Sequence, residues 1–218
     1  MTSLSIWQPT SADLIPPTAR TPAEITACAA QLGAKDKRQI VSAFQAGHYE
    51  MALNQLWGKT FNALKKELST VGVGLLAEML GRTGVDEDDD VDDILTAKDA
   101  IRLAEELGVM SSTDAFRMNH AYEFIRHFSE LEMDESDRED IEPSEAESAL
   151  RACVRGVLGR PKIEVAKKFV EFRNALEEET LRHDDHRVDM LKGSPYFFHK
   201  LTISVLISGA KNNIGANL

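Results

Sequence analysis

From Tyr49 to Leu68 the apolar residues fall at Leu53, Leu56, Trp57, Phe61, Leu64 and Leu68. Spacings of three and four commit this segment to a helix with one buried stripe, and Lys59, Lys65 and Lys66 take its wet side. No alternation of strand length occurs elsewhere, and no internal repeat stands out. The chain therefore predicts an all-α fold, a helical bundle of about eight helices joined by short connections.

The remaining helices are set off by capping residues and breakers. Thr21-Pro22-Ala23-Glu24 combines an N-cap, a proline at the first helical position and a glutamate three residues after the cap. That helix is expected to end at Gly33. A second covers about 35–46 before Gly47, and a short one covers 71–80. Another begins at Ile94 and closes at Gly108. Ser111-Ser112-Thr113-Asp114 opens the next, which runs to about Leu131 with Met118, Ala121, Tyr122, Ile125 and Phe128 on its apolar arc. Glu142-Pro143-Ser144-Glu145 starts a helix reaching Leu158, and Gly159-Arg160-Pro161 breaks it. A long helix over 162–181 carries Val165, Phe169, Phe172 and Leu176 on one face. The last, 196–208, is apolar almost all round, as expected of a helix buried against others or against a second copy. Residues 1–21, with Pro9, Pro16 and Pro17, read as an extended or mobile arm pinned by Ile6 and Trp7. Residues 22–210 read as one domain, with a possible division near 132–143, and 211–218 as a flexible tail.

At 218 residues, with 43% hydrophobic and 28% charged, the composition is that of an ordinary globular chain. The net charge of −11 is local. Seven acids lie within Asp86–Asp93 and ten within Glu130–Glu147, while the rest holds 24 basic against 19 acidic residues. The reading is a mildly basic body with two acidic inserts, so acidity does not exclude nucleic acid as a partner. The first insert has the alternation of a calcium loop at Asp86, Asp88 and Asp90. Val91 and Ala97 stand where such a loop requires glycine and a bidentate glutamate, and a solvated linker is expected instead. No apolar run is long enough for a membrane span, and the N-terminus lacks the pattern of a signal peptide. Cys28 and Cys153 read as buried thiols of a cytoplasmic protein. No cofactor or metal is expected.

Chemistry-bearing motifs are few. Glycine-rich phosphate loops, HExxH and GxSxG are absent. His183-Asp184-Asp185-His186 is the densest polar cluster. It reads as a solvated helix end, with a metal or proton-transfer role as the alternative. Arg126 lies at the rim of an apolar stripe and Arg173 lies inside one. Such an arginine either anchors a buried ion pair with a carboxylate or serves a site. Arg151, Arg155, Arg160, Lys162, Lys167 and Lys168 form a basic strip, with Arg151 and Arg155 one turn apart. It suits phosphate contact or pairing with the acidic inserts, and no aromatic residues interleave it for base stacking.

Leu107-Gly108-Val109-Met110-Ser111, followed by an acidic and apolar helix reaching an arginine plus a polar residue, resembles the HEPN-superfamily helical domains. Mannitol-repressor-like proteins share a similar run, and the resemblance spans residues 49–182 in helix order. The family's nuclease motif is Arg, a polar residue, then His after four to six intervening residues. Arg126-His127 and Arg173-Asn174 match its first half, but no His follows at that spacing. Arg182 to His186 comes closest, with too few intervening residues. The resemblance implies a non-catalytic relative that binds, dimerises or regulates. The expectation is accordingly an interaction or regulatory protein that pairs with itself or a protein partner through the last helix. Tyr196, Phe197, Phe198, Leu201 and Val205 would supply the contact. The alternative is a ribonuclease or RNA-binding protein of this type, in a bacterial toxin or defence system, using Arg173, Arg182, His183 and His186.

Overall fold

The computed structural model describes residues 14–84, 89–130 and 140–160, with individual positions between 172 and 210. Within them the fold is all-α. The helices are α1 (Pro22–Ala27), α2 (Ala34–Gln45), α3 (Tyr49–Ser69), α4 (Val73–Leu80), the single turn α5 (Val91–Ile94), α6 (Ala97–Glu106), α7 (Ser112–Glu130) and α8 (Pro143–Cys153). α8 runs on into a π-helical turn, Val154–Leu158.

α3 is the hub, touching α2, α4, α5, α6, α7, α8 and the π turn. Its stripe explains why: Leu53, Leu56, Leu64 and Leu68 are each at most 1% exposed. Burial of each such side chain stabilises by about 1.5–3 kcal/mol. Trp57 and Phe61 close the edge of the stripe, with rings stacked 6.2 Å apart, and Tyr122 of α7 lies 5.1 Å from Trp57. Thr60, also buried, keeps its hydroxyl satisfied by donating to the Leu56 carbonyl at 2.8 Å.

The capping signals act where the sequence placed them. Thr21 Oγ1 accepts from the Glu24 amide, and the Glu24 carboxylate accepts from the Thr21 amide at 2.9 Å. The bond from the Thr21 amide, with a second from the Arg20 amide, holds the Glu24 carboxyl below its ordinary range. Gly81, left-handed at φ 66°, terminates α4.

Several expectations are corrected. α1 stops at Ala27 rather than Gly33, because Cys28–Leu32 turns to bring Gln31 against the end of the π turn. α6 begins at Ala97, not Ile94. Thr96 is its N-cap, and Ile94 and Leu95 are pulled into the core instead of following an acidic cap. Part of the N-terminal arm is seated, with Ile15 only 1% exposed and Ala19 buried, whereas Ile6 and Trp7 lie outside the described residues. Cys153 is buried, but Cys28 only partly so. Burial pushes the Cys153 thiol up to about 12, partly offset by a hydrogen bond with Thr60.

Of the two acid-rich segments, 131–139 and 86–88 lie outside the described residues. α7 and α8 nevertheless pack along each other across the proposed division near 132–143. No helix among the described residues is long and apolar enough to cross a membrane.

Candidate functional site

The α7–α8 pair carries both a buried polar node and an open groove. The node is built on Arg160, just beyond the π turn and only 4% exposed. Its Nε donates to the Arg155 carbonyl at 2.8 Å and its Nη1 to the Val109 carbonyl at 3.0 Å. Its Nη2 donates to Asp114 Oδ2 at 2.6 Å. Burial lowers the guanidinium's pKa from its usual range, while the Asp114 and Glu67 carboxylates oppose that shift. Asp114 also belongs to the start of α7. Its amide donates to Ser111 Oγ, and the Ser111 hydroxyl donates to Asp114 Oδ2 at 2.9 Å. One carboxylate thus supports the helix N-terminus and neutralises a buried cation. Gln31 completes the closure: its side-chain amide donates to the Val157 and Arg160 carbonyls and its backbone N–H to Leu158.

Gly156 lets the two helices meet here. A Cβ at that position would lie 2.6 Å from Met118 Cγ on α7, so only glycine fits without displacing that side chain. A Cβ on Gly159 would strike the Val154 carbonyl at 2.8 Å.

The groove lies on the outer side of the same pair and has a volume of about 380 Å³. Its floor is apolar, with buried Ala121, Ala149 and Ala152. Phe116 stands on its edge at 75% exposure, and Phe124 lines it from the same helix. Arg117, His120, Arg151 and Arg155 also line it, against Glu145.

These cations differ in availability. Arg151 is held: it donates twice to Glu147 Oε1 and once to the Ala19 carbonyl at 2.7 Å. Among the described residues Arg117 has only a 3.5 Å contact with Asp114, whose other oxygen already serves Arg160. Arg155 is half-buried, and its guanidinium has no partner among the described residues.

The chain matches no family model, no curated protein and no solved structure.

The basic strip is thus divided by the fold. Arg151 and Arg155 share the groove, while Arg160 is turned inward and is not open to a phosphate. Its partner is Asp114, outside both acid-rich segments, and Arg151 pairs with Glu147, one turn earlier on α8. Lys162, Lys167 and Lys168 lie outside the described residues. So do Arg173, His183 and His186, whereas Arg182 is described and exposed. Arg126 is exposed and held between Glu123 and Glu130 at 2.8 and 3.7 Å. No three His, Cys, Asp or Glu side chains among the described residues group as a metal site would.

The expected interface on the last helix is also revised. Phe198 is fully buried in the chain's own core and cannot meet a partner there. Thr202, one turn on, is buried too and donates to the Phe198 carbonyl at 2.7 Å. Among the described residues of this segment, the apolar side chains turned outward are Ile203 and Ile207, at 56% and 50% exposure. Tyr196, Phe197, Leu201 and Val205 lie outside the described residues.

Sequence reasoning missed Phe116, Arg117 and His120 as groove residues. The period of α7 offered a signal: Phe116 lies off the Met118–Ile125 arc, where a large apolar side chain has no core to enter.

Proposed function

We propose that the chain is a non-catalytic interaction protein that acts by binding other protein chains, a second copy included. The observation that carries this reading is Phe116, a large aromatic side chain 75% exposed on the edge of an apolar-floored groove. An aromatic anchor next to arginines above an apolar floor is the composition of an interface core. Ile203 and Ile207 offer a second exposed apolar pair, one helical turn apart. The test is to isolate the full chain from its native host as wild type, Phe116→Asp and Ile203→Asp, and to quantify what accompanies each. A protein or second copy held by the wild type and lost from a variant is the expected result. Enrichment of nothing, or of RNA alone, would overturn the reading.

A second reading, RNA binding, draws support from the same groove. Arg151 and Arg155 lie beside Phe116 and Phe124, which supply aromatic faces that the basic strip itself lacks. It is ranked second because Arg151 is spent on Glu147 and Ala19, and Arg160 on Asp114. If the protein is a ribonuclease, mixed RNA is cleaved by the wild type and spared by Arg182→Ala and His186→Ala.

A further inference from the structure

We infer that the α7–α8 groove receives an acidic amphipathic helix of a protein partner, with an apolar residue of that helix packed against Phe116 and carboxylates on Arg155 and Arg117. This rests on the interaction-protein reading and names the partner's chemistry.

The charge balance of the groove points to acid. Four of its lining residues carry or can carry positive charge, and one, Glu145, is negative. The Glu145 carboxylate already accepts from the Glu142 amide at 3.0 Å. Arg151 is neutralised within the chain. That leaves Arg155 without a side-chain partner among the described residues, and Arg117 sharing a carboxylate already committed to Arg160. Among the described residues the uncompensated charge of the groove is therefore positive and lies beside exposed aromatic surface. A basic partner would bring like charges together in a partly desolvated cleft, whereas carboxylates would meet two arginines able to form charge-assisted bonds.

The shape points to a helix. Phe116 and Phe124 lie eight residues apart on α7, a span of about 12 Å, or roughly two helical turns. The floor between the helices is alanine, so a third helix can settle at an ordinary packing distance of about 8–10 Å. An apolar stripe at i, i+3 or i+4, and i+7 matches that length. A single-stranded nucleic acid would instead need a continuous run of free cations along its backbone.

The test uses the full-length chain and two synthetic fluorescent helical peptides. They share one leucine stripe, flanked by glutamates in one and lysines in the other. Fluorescence anisotropy is expected to show the glutamate peptide binding at least about tenfold tighter. Phe116→Ala should weaken it by about tenfold or more. Arg155→Glu should remove the preference for acid. Both side chains lie outside the core, so the variants' unfolding curves should overlay the wild type. Equal affinities, tighter binding of the lysine peptide, or glutamate-peptide binding indifferent to Phe116→Ala would overturn the inference. So would labelled oligouridine binding that is stronger than the glutamate peptide and dependent on Arg155. If neither peptide binds while host proteins still accompany the chain in a Phe116-dependent way, the acidic-helix inference fails and the interaction-protein reading survives. If nothing accompanies the chain, that reading fails.

Discussion

Arg155 and Arg160 lie five residues apart at the end of one helix, yet the fold uses them in opposite ways. Arg160 is enclosed: its three donor contacts go to two carbonyls and one carboxylate, and its charge is matched. Arg155 faces the groove with its guanidinium unmatched among the described residues. Arg155 lies within the π turn and Arg160 just beyond it. Gly156, inside the same turn, lets its backbone pack directly against the Met118 side chain. Position in the fold, not residue type, decides which cation is structural and which is available.

The largest effect should come from breaking the closed end. Arg160→Leu would leave the Asp114 carboxylate and the Val109 carbonyl without their partner. It should cost about 3 kcal/mol in urea unfolding, the range found when one member of a buried pair is removed. Next is Gly156→Ala, whose added methyl must push Met118 aside. A loss of about 1–3 kcal/mol is expected in the same measurement. Thr21→Ala removes the α1 cap and should cost about 1 kcal/mol, read as a lower thermal midpoint.

Smaller still is the acid limb of stability. Backbone hydrogen bonds lower the pKa of Glu24, and the Lys98 and Arg126 side chains lower that of Glu123, both from an ordinary 4.5. Carboxyls with depressed folded values stabilise above their unfolded pKa and lose that contribution as pH falls through the folded one. Unfolding free energy should therefore decline as pH drops below about 4.5. Glu24→Gln should make that decline shallower.

The helices were legible because period and caps act locally. α3, α7 and α8 lie close to where the spacing of leucines and the Glu142-Pro143 start put them. The site was legible only in halves. Arg151 and Arg155 stood out as neighbouring cations on one helix. Nothing in their segment shows that α7 would set Phe116 and Phe124 beside them, since that juxtaposition is a long-range packing outcome. Arg160 was misread for the same reason. Between a glycine and a proline it reads as one more cation of the basic strip, and the carboxylate that draws it inward is 46 positions away. The expected Phe198 contact failed because an almost uniformly apolar helix has no period to say which face is buried.

The most direct test is equilibrium urea unfolding of Arg160→Leu and Arg155→Leu side by side. The structure predicts a loss of about 3 kcal/mol for the first and a change within about 0.5 kcal/mol for the second. Losses of similar size in the two variants would contradict the division of this helix pair into a structural end and an open binding groove.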